Sequence, residues 1–233
     1  HKVAYPEIDW KKFGENFIEN ELKLNYSFPT TQIEHYDSFA ALCDNCRRIN
    51  NIILDMCVDI WLYISKDYFK QKIVKNEVGS SAMPHKVNPI DFENSEGNLG
   101  LANSIFDFMS NKLTKSRLQR DLSDSTVLRN IGVPFGHSII SFESVLKGLD
   151  KIFVNEEKIK MDIEDNWIVI SEAIQTILRR EGLSNPYEIL KELTRDNNKI
   201  DKLSFDQFIE TLDINESVKN ELKQISPHNY TGI

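Results

Sequence analysis

From Asp37 to Val74 no proline or glycine interrupts the chain, and Phe39, Leu42, Cys46, Ile49, Ile53, Met56, Ile60 and Tyr63 recur at alternating steps of three and four. That spacing keeps apolar side chains on one side of an α-helix and predicts a bundle seam. Ile52, Leu54, Val58, Trp61 and Leu62 occupy the other sides. A helix that is apolar nearly all round is expected to be buried, inside a larger bundle or between copies of the chain, and association of copies is the preferred reading.

A shorter amphipathic helix is predicted from Asp9 to about Leu22, with Trp10, Phe13, Phe17 and Ile18 on one side, followed by a polar connection over 29–34. Gly79, Ser80, Ser81, Pro84 and Pro89 break the pattern and make 75–90 a loop. Helices are expected next over Asp91–Leu113 and Ser125–Lys151, the second kinked at Pro134, which cannot donate a backbone hydrogen bond. Beyond Phe153 the periods shorten to 156–162, 167–180, 186–194, 205–212 and 216–224. Gly182 is placed like a helix-ending residue, Pro186 like a first-turn residue, and Ser204 and Asn215 like N-caps. The expected architecture is all-α: residues 1–153 form part of a long-helix bundle, with a candidate functional loop over 76–90, and 154–233 form a small helical domain. No internal repeat or strand alternation is present, which argues against a nucleotide-binding parallel sheet.

Composition narrows the class. Sparse glycine (9) and proline (7), with 40% hydrophobic and 27% charged residues, indicate an ordered, helix-rich protein. A formal net charge of -8 argues against a broad nucleic-acid or anionic-membrane footprint. No apolar run approaches the roughly 20 residues of a membrane span, and the start has no signal-peptide pattern, so a cytoplasmic location is expected. Cys43, Cys46 and Cys57 fall in one predicted helix without a second ligand pair, so core packing is expected rather than a metal or redox site. The first residue is His1, not methionine, which suggests a piece of a longer protein.

The string Gly79-Ser80-Ser81-Ala82-Met83-Pro84-His85-Lys86-Val87-Asn88 joins two long helices. A simple connection rarely carries a lysine, a histidine and two hydroxyls in so long a loop. It resembles the signature of the fumarase, aspartase and argininosuccinate lyase superfamily, Gly-Ser-Ser-x-Met-Pro-x-Lys-x-Asn, at every fixed position. The resemblance implies β-elimination of fumarate from a substituted succinate by a homotetramer built on a long-helix bundle. Such a reaction needs a base for the proton beside a carboxylate, and fixed positive charge for the aci-carboxylate dianion that results. By the resemblance Ser80 matches the base, Lys86 supplies the charge, and Ser81 and Asn88 bind the succinyl part. A serine can serve only where a nearby ammonium and backbone N–H donors favour its ionised form. Glu93 matches a glutamate that orients the catalytic histidine of another segment, although an acidic residue is also ordinary in a helix's first turn. His85 falls at a variable position and is assigned no role.

In Arg120-Asp121-Leu122-Ser123-Asp124-Ser125-Thr126-Val127-Leu128-Arg129, Ser125 and Arg129 share a helix face and Asp124 could cap it. A hydroxyl, a guanidinium and free N–H groups would suit a phosphate, and surface salt bridges are the plain alternative. The stretch is similar to the Arg-Asp-x-x-Asp-Ser-x-x-x-Arg of adenylosuccinate lyases, and Pro89 to Asn98 looks like their bacterial-type branch. That family uses the serine and arginines on a nucleotide phosphate, which implies roles for Arg120, Ser125 and Arg129. Thr31-Gln32-Ile33-Glu34 resembles another substrate motif, with Gln32 and Asn94 as binding residues. The implied activity is cleavage of adenylosuccinate to AMP and fumarate, and of the succinylocarboxamide ribotide of purine biosynthesis, without metal or organic cofactor. The family's general-acid histidine lies in an amino-terminal region absent from this chain, and none of His1, His35, His85, His137 and His228 lies in its motif. The alternatives are another lyase of the superfamily, such as argininosuccinate lyase, or a truncated subunit acting only as an oligomerisation or nucleotide-binding scaffold.

Overall fold

The computed structural model describes residues 1–72, 88–118, 120–195 and 200–231. They are all-α apart from one pair of short strands, and they form two compact units, His1–Trp61 with 89–118 and 120–150, and 62–72 with 88, 151–195 and 200–231. Among the described residues no helix is long and apolar enough to cross a membrane.

In the first unit, helix α1 (Trp10–Asn16) begins where Asp9 accepts the Lys12 N–H at 3.2 Å, and runs into one wider turn, Phe17–Glu21. Trp10 meets Phe13 edge-on and Phe13 stacks on Phe17, with ring centroids 5.6 and 6.2 Å apart. The long helix α2 (Asp37–Ser65) starts at a histidine cap, because Nδ1 of His35 accepts the Asp37 N–H at 3.2 Å. Its buried line is Ala40, Cys43, Asn50, Cys57 and Ile60, whereas Leu42, Ile49, Ile52 and Val58 stay exposed. The seam is thus offset from the one that hydrophobicity alone picks out. Small cysteines let helices approach, and Asn50 can be buried because its amide donates to Asn103 Oδ1 at 3.0 Å and Ser138 Oγ at 3.1 Å.

Helices α3 (Ile90–Leu113), α4 (Ser123–Leu128) and α5 (Gly132–Leu149) complete this unit. α3 and α5 pack closely: a Cβ at Gly148 would sit 2.7 Å from the Phe92 ring, and Phe106 meets Phe135 edge-on at 5.0 Å. A polar seam runs between them, in which Ser95 and Ser141 share a short hydroxyl contact and Ser141 Oγ donates to the Ser95 carbonyl at 3.2 Å. The expected single helix over 125–151 is two helices broken at 129–131, and Pro134 is not its kink. Proline lies in the first turn of α5, where a missing N–H costs nothing because no intrahelical acceptor precedes it.

In the second unit α2 ends at Ser65, short of the predicted Val74. Asp67 adopts a left-handed conformation, φ +62°, and β1 (Phe69–Gln71) pairs antiparallel with β2 (Ile152–Val154), Phe69 opposite Val154. Helix periodicity is overridden there by the ladder and by the Tyr68 hydroxyl, which donates to Asp162 Oδ2 at 2.9 Å. α6 (Glu156–Glu164), a 3-10 turn (Trp167–Ile170), α7 (Ser171–Arg180), α8 (Pro186–Arg195), α9 (Lys202–Thr211) and α10 (Glu216–Gln224) follow. Trp167, Ile174, Leu178, Phe205, Ile209 and Leu222 lie at the centre of their common core. Gly182 ends α7 at φ +78°, and Asn215 caps α10. Ser204 does not cap α9. Asp201 does, accepting the Ser204 N–H at 2.9 Å, so the helix starts earlier on a carboxylate, which is a strong N-cap acceptor.

Candidate active site

The candidate residues of the first unit fall into two groups at opposite ends of α3. At its amino-terminal end, Glu93 lies exposed in the first turn, and the Trp61 indole Nε1 donates to its Oε1 at 3.0 Å. The backbone beneath is fixed. Phe92 is buried, and the buried Asp91 carboxylate pairs with Lys147 at 3.3 Å. Asn94 Nδ2 donates to Ser144 Oγ at 2.6 Å while its Oδ1 accepts from Asn98 Nδ2 at 3.1 Å. His137 extends this line, with Nδ1 2.8 Å from Asn98 Oδ1. Asn88, half-buried, precedes Pro89, the N-cap residue of α3. Gly79, Ser80, Ser81 and Lys86 of the signature loop lie outside the described residues.

The second group begins at the carboxy-terminal end of α3, and α4 then packs back beside that helix, with Val127 in one cluster with Ala102, Phe106 and Met109. The Thr31–Tyr36 segment and the turn after Leu113 line one cleft of about 260 Å³, with Thr31, Glu34, Tyr36, Lys115, Asp121 and Asp124 on its walls. The two stretches that the sequence marked separately are therefore neighbours. The Tyr36 hydroxyl donates to Asp124 Oδ2 at 3.4 Å, and Asp124 Oδ1 accepts the Ser125 N–H at 2.7 Å. Burial and then the Asp124 charge push the Tyr36 phenol above its ordinary pKa. Lys112 Nζ donates to Ser123 Oγ at 2.7 Å, and both the hydroxyl and the N–H of Ser123 donate to Asp121 Oδ1. Those two bonds from Ser123, hydroxyl first, hold the Asp121 carboxyl below the usual carboxylate range.

With Asp121 taking the Ser123 N–H, α4 begins at Ser123 with Leu122 at its N-cap, and Asp124 lies within the first turn rather than before it. Ser125 Oγ donates to the Leu122 carbonyl at 2.9 Å. Arg120, Arg129 and Gln32 are exposed. Neither arginine forms an ion pair among the described residues, so salt bridging is not what holds them. Three carboxylates, Glu34, Asp121 and Asp124, line the cleft together with Lys115 and His35, so its interior carries more negative than positive side chains.

The cysteines pack as expected. All three are free thiols, Cys43 is fully buried, and burial, reinforced by Cys46 and Asp44, pushes its thiol to about 11. Trp61 and Tyr36 are the residues that sequence reasoning missed. Trp61 reads as one more apolar helix position, and its partner is distant along the chain.

A family model described as "Lyase" matches residues 1–103, and one described as "Adenylosuccinate lyase C-terminal" matches 116–231. The chain is 58% identical to the adenylosuccinate lyase of Dictyostelium discoideum, 54% to that of Legionella pneumophila and 49% to that of Escherichia coli K12. Each match covers 100% of this chain and 51%, 51% and 50% of the relative, respectively. The chain thus spans about half the length of the curated relatives it matches.

Proposed function

The chain belongs to the adenylosuccinate lyase family, and from that premise we propose that the full-length protein cleaves adenylosuccinate to AMP and fumarate, and the succinylocarboxamide ribotide of purine biosynthesis in the same manner. The observation that carries this reading is similarity to adenylosuccinate lyases along the entire chain. Ser80 removes the proton from the carbon beside a succinyl carboxylate, and the electron pair is held as an aci-carboxylate dianion opposite the Lys86 ammonium. Collapse of the dianion breaks the carbon–nitrogen bond. The leaving nitrogen takes its proton from a histidine of the amino-terminal half, which Glu93 orients. Ser81 and Asn88 bind the succinyl part, and Gln32 and Asn94 are further substrate-binding residues. Asn94, already held by Ser144 and Asn98, keeps a second Nδ2 hydrogen to donate.

Arg120, Ser125 and Arg129 take the nucleotide phosphate, with the Ser125 hydroxyl turning from the Leu122 carbonyl to an anionic oxygen. Glu93 and Leu113 are separated by about 30 Å of helix at 1.5 Å per residue, farther than one nucleotide spans. Arg120 acts on Tyr36 at the cleft beside Leu113, so the length of α3 supports an active site shared between copies, one offering the Glu93 end and another the turn around Arg120. The exposed Leu42, Ile49, Ile52 and Val58 of α2 give a homotetramer apolar surface to bury. A cytoplasmic location belongs to the same reading.

The test is the spectroscopic rate of adenylosuccinate cleavage by this chain, alone and mixed with the amino-terminal half of the protein. Activity on mixing only is expected. A demonstrably assembled but inactive mixture would overturn the substrate assignment, and activity of the chain alone would overturn the placement of the general acid.

A further inference from the structure

We propose that Trp61 is a positioning residue for the elimination, its indole N–H fixing the Glu93 carboxylate and influencing the reaction only through it. The inference rests on the role assigned above to Glu93. Trp61 sits near the end of α2 and Glu93 in the first turn of α3, and Nε1 donates to Oε1 at 3.0 Å. Trp61 is 43% exposed, so water could satisfy its N–H and burial does not force this bond.

Both supports are packed against buried neighbours. Ile60 beside Trp61 is buried, and nearby Cys57 lies with its Sγ 3.5 Å from Ser95 Oγ of α3. On the other side, Phe92 and Asp91 anchor the backbone at Glu93. What remains free at Glu93 is the side chain alone, and an exposed glutamate otherwise samples several rotamers. An indole offers a single N–H on a planar ring with few rotatable bonds. A donor of that kind on Oε1 aims Oε2 in one direction, as an outer partner does for a ligand or catalytic group that it orients.

The experiment uses the full-length protein, with Trp61→Phe, Glu93→Gln and the double variant assayed for adenylosuccinate cleavage. Trp61→Phe is expected to lower kcat by about three- to tenfold with KM within about twofold, and the double variant to lose no more than Glu93→Gln alone. An unchanged kcat in Trp61→Phe, or losses that multiply in the double variant, would overturn the proposal. If Glu93→Gln lowers kcat in that case, the role of Glu93 stands by itself. An unaffected Glu93→Gln variant removes the role of Glu93 and with it that of Trp61, and an unmutated protein inert toward adenylosuccinate removes the functional reading as a whole. Should Trp61→Phe fail to assemble, 3-benzothienylalanine at position 61 replaces only the N–H by sulfur, and the same kcat loss is expected.

Discussion

The Tyr36 hydroxyl lies 3.4 Å from Asp124 Oδ2 and ties the Thr31–Tyr36 segment to the turn that leads into α4. Asp124 in turn accepts the N–H of Ser125, so Tyr36 acts on a candidate phosphate ligand through one intermediate. Tyr36→Phe is expected to raise KM for adenylosuccinate by about two- to tenfold, the equivalent of one hydrogen bond, with kcat within about twofold. Burial and Asp124 keep the phenol protonated above its ordinary value of 10.0. The donor is therefore present throughout neutral pH and the KM ratio should be flat there. A ratio that falls between about pH 7 and 9 would contradict a protonated donor.

Arg129 stands exposed without an ion pair among the described residues, so its guanidinium is available to an anion. Arg129→Ala should weaken AMP binding by about tenfold or more, the loss of a charge-assisted hydrogen bond, while leaving thermal stability nearly unchanged. Calorimetric titration with AMP checks this, and unchanged affinity would remove the phosphate assignment.

Separation of the two groups along α3 makes a prediction about mixtures. Full-length Glu93→Gln and Arg120→Ala proteins, each impaired alone, should regain up to about a quarter of normal activity when dissociated and reassembled together, because random pairing of copies gives some sites with both residues intact. No recovery in verified mixed oligomers would mean that one copy supplies both ends.

At Gly148 any side chain meets the buried Phe92 ring at 2.7 Å. Gly148→Ala should destabilise the bundle by about 1–3 kcal/mol in urea unfolding through overpacking. Gly136, on the same helix with nothing within 4 Å of an added Cβ, is the control. There alanine should be neutral or stabilise by about 0.5–1 kcal/mol, the usual helix-interior gain.

Thiol chemistry offers a fifth check. With its thiol raised to about 11, Cys43 is protonated at neutral pH and has no exposed surface, so an aromatic disulfide reagent at pH 8 should modify it only after unfolding. Rapid labelling of Cys43 in the native protein would show that α2 does not pack as described.

Much of this was legible along the chain. The helical periods of α3, α7 and α10, the Gly182 terminus and the Asn215 cap rest on contacts between residues a few positions apart, which local sequence specifies directly. The signature string and the Arg120–Arg129 stretch likewise carry a family resemblance, because a motif is read residue by residue along the chain and needs no tertiary contact to be recognised. Other features depended on partners far away in sequence. The end of α2 at Ser65 was set by a strand at Ile152–Val154, its buried line by hydrogen bonds from Asn50 to Asn103 and Ser138, and the surroundings of Glu93 by an indole on another helix. Periodicity reports which residues can be buried, but only the packed structure decides which of two apolar faces wins and which donor stands within 3.0 Å of a carboxylate, because those outcomes depend on contacts that close only when distant segments meet.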